Sequence, residues 1–394
     1  MTNGICRHVV LVAGEPSGDA LGARLMDRIR TGSSVPVRFT GVGGPLMKAE
    51  GLETLFPMED LTAFGLAEVV PKLPMIAQRL SWVARTLLDN PPDIVVTIDA
   101  QEFSYRLARR LKGRTFPLVH YVAPTVWAWK LGRARKLAKV VDRVLALLPF
   151  EPPYFEATGL RCDFVGHPVI ESGADKGDAT RFRNRYGFSP SDPILCLLPG
   201  SRRGEVERLL PVFLEAADQL IQYHPGLKVI IPTVAAVSER VKRISHHAKN
   251  DVLVLETSDT RYDAFSASSV ALAASGTVGL ELALAGVPHV LAYKLNPITG
   301  WVARRVLTIK HVGMVNIILG TTVIPELLMQ DCTAKRLTVE ANRLLSDHSA
   351  SDLQRQACLA TMEKLGYGQA VLPSEHAARA VLNEMAQNSV GQFA

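Results

Sequence analysis

The sequence predicts an α/β protein of two doubly wound domains, and three observations carry that expectation. Short apolar runs rich in Val, Ile and Leu recur along the chain and alternate with helical patterns, as strands buried on both faces of a parallel sheet require. The 394 residues exceed what one compact core holds and suit two domains of ordinary size. A polar, glycine-containing stretch at 171–178 then breaks the periodicity near the middle, which places the boundary near residue 170.

The runs that read as strands are 8–13, 93–98, 117–122 and 143–148 in the first half. In the second half they are 194–198, 228–232, 252–255, 270–273 and 288–293. Helical periodicity is clearest after Gly204, where Val206, Leu209, Leu210, Phe213, Ala217, Leu220 and Ile221 share one face, and Pro211 is expected to bend that helix. Two such domains facing each other turn the C-terminal ends of their strands toward a shared crevice, where ligands bind in open α/β sheets.

Composition narrows the function. A hydrophobic content of 47% with 21% charged residues is that of a globular chain, and no apolar run approaches the ~20 residues of a membrane span. The first residues lead straight into a strand without a secretory h-region, which points to the cytosol. The five cysteines, Cys6, Cys162, Cys196, Cys332 and Cys358, are scattered without C-x-x-C spacing, so neither a disulfide framework nor a zinc site is expected. A net charge of +6 with interspersed acids argues against general nucleic-acid binding and leaves phosphates or an anionic membrane surface as partners for the excess.

Residues 275–281 carry the strongest chemical signal. An apolar strand runs into Ser275, Gly276 and Thr277, which open a helix whose first backbone N–H groups lack intrahelical partners and suit an anion. Thr277 and Glu281, four apart, share one helical face, so a hydroxyl that meets a phosphate stands one turn from a carboxylate that accepts ribose hydroxyls. The competing reading is a capped helix with Gly276 and Gly279 present for close packing. A second turn, 198–205, brings Gly200, Ser201 and Arg202 to a βα loop that reaches a diphosphate, with Arg202 neutralising a leaving group; solvated loop charge is the alternative. No Asp-x-Asp occurs, so the usual carboxylate clamp for a metal–diphosphate complex is missing and neither metal nor cofactor is expected.

In the first half, 13–19 also joins strand to helix, but G-x-G-x-x-G is absent, which disfavours a nicotinamide enzyme. With the glycines at 41–44 it reads as a shaped wall for a second substrate. Asp99 closes the strand 93–98, where a carboxylate can take a proton from an attacking hydroxyl, or, with Glu102, can cap the next helix. His120, Trp127 and Trp129 suit sugar stacking or ordinary packing, and Lys130, Arg133, Arg135, Lys136 and Lys139 read as a solvated helix face. The apolar stretch 64–76, broken by Pro71 and Pro74, reads as a surface element that dips into lipid headgroups or receives acyl chains, through Leu66, Val69, Val70, Leu73, Met75 and Ile76. A basic and aromatic region, with Lys294, Trp301, Arg304, Arg305 and Lys310, offers a second contact or an exposed helix face.

These motifs, in this order, resemble the lipid-A-disaccharide synthases, inverting glycosyltransferases built of two Rossmann-like domains facing across a cleft (GT-B). The resemblance covers nearly the whole chain through 13–19, 41–45, 64–68, 98–99, 120–129, 148–151, 165–168, 198–205 and 275–288. One departure is Val315, where the family usually has proline before the asparagine aligned with Asn316. The resemblance implies transfer of 2,3-diacylglucosamine from its UDP conjugate to the 6-hydroxyl of 2,3-diacylglucosamine 1-phosphate, at the cytoplasmic face of a Gram-negative inner membrane. On that reading Asp99 is the first candidate base and Glu15 the second, Arg202 and the loops at Gly200 and Ser275 stabilise departing UDP, Glu281 holds the ribose, and Asn316 joins the site. Ser17 and Gly18 fall to the acceptor side. Domains are then expected at 1–170 for the acceptor and membrane, at 171–370 for the UDP-sugar, and a terminal segment 371–394 that returns to the first domain or crosses to a partner in a homodimer. The rivals are a UDP-N-acetylglucosamine 2-epimerase or another UDP-sugar transferase, and a non-catalytic nucleotide- or lipid-binding protein.

Overall fold

A computed structural model describes residues 6–61, 66–129, 132–256, 260–294 and 310–391, and at 66–72, 128–129 and 389–391 it describes the backbone alone. The chain divides into two compact units, Met1–Pro168 with Gln369–Ala394, and Val169–Gly368.

The first unit holds strands β1 (Arg7–Ala13), β2 (Val37–Val42), β3 (Glu53–Thr54), β4 (Ile94–Ile98), β5 (Leu118–Tyr121), β6 (Arg143–Ala146) and β7 (Arg161–Phe164). Its helices are α1 (Pro16–Gly32), α2 (Pro45–Ala49), α3 (Leu66–Asp89), α4 (Gln101–Arg110), α5 (Val126–Trp129), α6 (Gly132–Leu137) and α7 (Pro152–Glu156). The seven strands are parallel in the order β3-β2-β1-β4-β5-β6-β7, so the winding reverses between β1 and β4. Alternation along β1 sends Val10 and Val12 to one apolar cluster and Val9, Leu11 and Ala13 to the other, which is how a sheet covered on both faces uses a continuous apolar run.

The second unit holds β8 (Ile194–Leu198), β9 (Lys228–Thr233), β10 (Val252–Glu256), β11 (Val270–Ala274), β12 (His289–Tyr293) and β13 (Glu326–Leu328), parallel in the order β10-β9-β8-β11-β12-β13. Here the reversal lies between β8 and β11. Its described helices are α8 (Ala179–Tyr186), α9 (Arg203–Tyr223), α10 (Ala235–Ser245), α11 (Arg261–Ala267), α12 (Val278–Leu284), α13 (Met314–Leu319), α14 (Ala334–Ser346) and α15 (His348–Lys364). The expected apolar face of α9 is buried, with Val206, Leu209, Leu210, Phe213, Ala217 and Leu220 in the core, each worth about 1.5–3 kcal/mol of transfer free energy for the larger side chains. The helix is assigned without a break through Pro211.

The last helix, α16 (Pro373–Gly391), belongs to the first unit, where Ala377, Ala378 and Val381 pack with Leu25, Met26 and Ile29 of α1. Glu384 fixes it at the sheet by accepting from Arg143 at 3.1 Å and Arg161 at 2.5 Å. The stretch 171–178, read from sequence as a linker, is instead docked within the second unit. A Cβ on Gly177 would lie 2.0 Å from the Tyr262 carbonyl oxygen, so glycine is there for close backbone approach rather than for slack.

Residues 64–76 are also organised differently from the broken surface element expected. From Leu66 the backbone is helical and continuous through Pro71 and Pro74 into α3. Phe64 lies outside the described residues, as do the side chains of Leu66, Val69 and Val70. Of the other candidates, Leu73 is exposed and Met75 half-buried, while Ile76 packs against the core. No described helix is long and apolar enough to cross a membrane.

Candidate active site

The ends of β8 and β11 diverge at the reversal of the second sheet, and the loops that follow them line a pocket of ≈ 440 Å³. Gly200, Ser201 and Arg202 come from one loop and Ser275, Gly276 and Thr277 from the other, with Glu281 one turn into α12. Gly200 has φ +109°, and a Cβ there would lie 2.3 Å from Glu205 Oε2, so only glycine makes this turn. Arg202 stands at the N-cap of α9 with its side chain 69% exposed, 3.3 Å from Glu205 Oε1.

Ser275 differs from the expected cradle. Its backbone N–H donates to the Ala292 carbonyl at 2.9 Å, continuing the β11–β12 ladder, and cannot meet an anion. The N–H groups of Gly276, Thr277 and Val278 find no acceptor among the described residues. Helix α12 is seven residues long, so the opening donors and Arg202 matter here more than a macrodipole.

Glu281 is paired within the pocket wall by Arg261, the first residue of α11, whose Nη2 donates to Oε2. The Tyr262 hydroxyl lies 3.4 Å from Oε1. Burial raises the Glu281 pKa, and Arg261 and Tyr262 pull it back. Arg261 was not singled out by sequence reasoning. It lies 20 residues from Glu281 with no spacing rule to join them.

In the first unit, Glu15 and Ser17 follow β1 and Asp99 follows β4, the two strands that flank that sheet's reversal. The Ser17 hydroxyl lies 3.5 Å from Asp99 Oδ2, a long contact. Burial raises the Asp99 pKa, opposed by its contacts with Ser17, Ala100 and Gln101. The capping alternative is not what forms: the N-cap of α4 is Ala100, without a side-chain cap bond. The Asp99 N–H donates to Tyr121 and Glu102 turns to Arg106 at 2.7 Å, so the reciprocal bond of a capping box is absent. Asp99, Ala100 and Val122 hold positive φ of 51°, 42° and 78°, a cluster of unfavourable backbone at neighbouring strand ends that sequence did not foretell. Gln101 Nε2 braces it by donating to the Val122 carbonyl at 3.1 Å.

Several expected roles resolve into structure. Gly18 is buried, and a Cβ there would lie 3.2 Å from Ala13 Cβ, so it brings α1 onto the sheet. The supposed substrate wall of 13–19 and 41–45 is joined by Asp19, whose carboxylate accepts from the backbone of Gly44, Leu46 and Met47. His120 is 1% exposed and bonded to Thr97 Oγ1 at 2.8 Å, which removes it from sugar stacking; burial lowers its pKa to about 4. Trp127 donates Nε1–H to Glu151 at 3.2 Å and meets Phe150 edge-on. Glu151, 3% exposed, is pushed up to about 7 by burial. The Trp129 side chain, Lys130, Trp301, Arg304 and Arg305 lie outside the described residues.

Asn316 does not offer its amide to a ligand. It is fully buried: Nδ2 donates to the Ile324 carbonyl at 2.8 Å and to Glu326 Oε1 at 2.7 Å, while Oδ1 accepts from Val323 at 2.8 Å and Ile324 at 2.9 Å. Glu326 in turn accepts the N–H groups of Val312 and Gly313. Asn316 therefore positions the loops around it, and Val315, 2% exposed, packs beneath.

The model of the lipid-A-disaccharide synthetase family matches residues 9–381. A lipid-A-disaccharide synthase of Rhodospirillum centenum is 52% identical over 377 residues, covering 95% of this chain and 94% of the relative. One from Paramagnetospirillum magneticum is 44% identical over 383 residues, covering 96% and 98%. Among solved structures, a UDP-N-acetylglucosamine 2-epimerase of Neisseria meningitidis bound to UDP-GlcNAc superposes with a TM-score of 0.61 at 10% identity, covering 97% of this chain and 100% of that one. MurG of Acinetobacter baumannii does so at 0.55 and 13%, covering 96% and 99%. The structures share the doubly wound α/β fold with this protein; the sequence matches go further, and the chain belongs to the lipid-A-disaccharide synthase family.

Proposed function

We propose that the pocket at β8 and β11 seats the UDP of UDP-2,3-diacylglucosamine, with the diphosphate at Arg202 and the free N–H groups of Gly276, Thr277 and Val278, and the ribose at Glu281. The observation that carries this is the convergence of a guanidinium, unpaired backbone donors and a half-buried carboxylate in one pocket at a topological reversal. Family membership makes the chain a hexosyltransferase that forms the lipid A disaccharide. The 6-hydroxyl oxygen of 2,3-diacylglucosamine 1-phosphate bonds to the anomeric carbon from the face opposite UDP, the bond from that carbon to the phosphate oxygen breaks, and the proton passes to Asp99. The product is the β-1,6-linked disaccharide 1-phosphate, and UDP leaves with charge that Arg202 and the backbone donors stabilise.

The raised Asp99 pKa suits a base, because a carboxylate held by burial accepts a proton more readily than a solvated one. Glu15, half-buried at the N-cap of α1, is the second candidate. The acyl chains of both substrates require a lipid surface, and the N-terminal part of α3, with exposed Leu73, is assigned to the cytoplasmic face of the inner membrane. The epimerase reading is not favoured, since that resemblance is one of fold at 10% identity.

The test mixes purified protein with both acyl-sugar substrates in detergent, with and without EDTA, and follows product by mass spectrometry. Tetraacyl disaccharide 1-phosphate formed with UDP supports the reading. Folded protein that binds UDP but releases only an epimerised UDP-sugar overturns it.

A further inference from the structure

Arg261 lines the same pocket as Glu281 yet belongs to neither of the loops the sequence motifs mark. Its guanidinium carbon lies 5.3 Å from the Phe265 ring centroid and 5.9 Å from that of Tyr262. Phe265 is fully buried, so the planar cation rests on a fixed aromatic wall. One of its terminal nitrogens donates to Glu281 Oε2, and the Tyr262 hydroxyl stands 3.4 Å from Oε1. The carboxylate comes from α12 and the guanidinium from α11, so the pair also ties two separate elements of the wall.

A carboxylate has about four lone-pair sites, and one charged bond with one long contact leaves acceptor capacity on both oxygens. A side chain 17% exposed, with no such partner, would lose the orientation that makes that capacity useful. We propose that Arg261 is a positioning residue of the nucleotide site: it fixes the Glu281 carboxylate so that its remaining lone pairs meet the vicinal hydroxyls of a ribose. This rests on the UDP-sugar reading of the pocket. The proposed effect on the nucleotide passes through the sugar and not through the diphosphate, where Arg202 acts.

The test is calorimetric binding of UDP and of 2′-deoxy-UDP to the wild-type protein and to the Arg261→Ala, Arg261→Lys and Glu281→Gln variants. The wild-type protein should prefer UDP by about tenfold or more, the span of one hydrogen bond to a charged group. Arg261→Ala should weaken UDP by about tenfold while leaving 2′-deoxy-UDP nearly unchanged, Glu281→Gln should do the same, and Arg261→Lys should recover part of the preference. Equal weakening of both nucleotides by Arg261→Ala, or a preference that survives it intact, overturns the proposal. If the alanine variant does not fold, the lysine variant decides: a narrowed preference supports the role and an unchanged one refutes it. Folded wild-type protein that binds neither nucleotide overturns the nucleotide reading itself, whereas wild-type preference retained in Arg261→Ala but lost in Glu281→Gln removes Arg261 alone.

Discussion

The Asp19 carboxylate accepts the Gly44 backbone N–H at 2.8 Å and thereby joins the first turn of α1 to the loop after β2. It also takes the N–H groups of Leu46 at 3.0 Å and Met47 at 2.9 Å, which are orphan donors at the start of α2. Asp19 is 2% exposed, so removing it strands the buried N–H groups of Gly44 and Met47. Asp19→Ala should lower the unfolding free energy by about 2–4 kcal/mol, read as a shift in denaturant midpoint at constant slope. Gly44→Ala should act through the same contact, since its Cβ would fall 2.5 Å from Asp19 Oδ2.

Asn316 predicts a loss of a different kind. Its amide makes four hydrogen bonds, two of them fully buried, and Asn316→Ala leaves two backbone N–H groups and the Ile324 carbonyl without that partner. The expected cost is about 2–4 kcal/mol, with turnover falling as the loop at 312–316 loosens. Asn316→Asp should be worse, because it sets a second carboxylate against Glu326 at the present 2.7 Å contact. A full-stability variant that has lost turnover would point to direct contact with substrate instead.

Glu151 makes stability depend on pH with a definite sign. Burial raises its pKa from 4.5 to about 7, so between those values the folded protein keeps a proton that the unfolded chain has released. Its contribution is fully present below about pH 4.5 and is lost as pH rises through about 7. Glu151→Gln should remove this slope. Comparing unfolding free energies at pH 5 and pH 8, the wild-type protein should lose about 2 kcal/mol more than the variant does.

The long apolar strands and the glycine-marked turns were legible because a buried parallel strand and a tight βα loop each leave a local signature. Arg7–Ala13, Ile94–Ile98 and Val270–Ala274 are of the first kind, and the turn at Gly200 is of the second. Three of the four described edge strands, β3, β7 and β13, were not read, while β10 was. Arg161–Phe164 alternates charged with apolar residues, and Glu326–Leu328 has only three residues, so neither forms the apolar run by which the others were found. The pocket's loops were visible one at a time, but Arg261 with Glu281, and Asp19 with Gly44, are tertiary pairs between elements whose meeting no periodicity encodes. The same limit hid the role of Asn316: a polar position reads alike whether it faces a ligand or, as here, four partners of its own chain.

Asp99 and Arg202 allow chemistry to be separated from folding. Asp99 caps no helix and its contact with Ser17 is long, so Asp99→Asn keeps shape and hydrogen-bonding size while removing the proton acceptor. Turnover should fall about 10²–10⁴-fold with the melting temperature nearly unchanged. Arg202, 69% exposed and 3.3 Å from Glu205, is held by a surface pair of little structural worth. Arg202→Ala should likewise spare stability and reduce kcat by about 10²–10³-fold, the range for removing a donor that meets developing charge. The two variants should part in UDP binding: Asp99→Asn should bind it as the wild-type protein does, whereas Arg202→Ala should bind it more weakly, because the proposed reaction sets only the second residue against the leaving group. Equal weakening of UDP by both variants would overturn this division of labour.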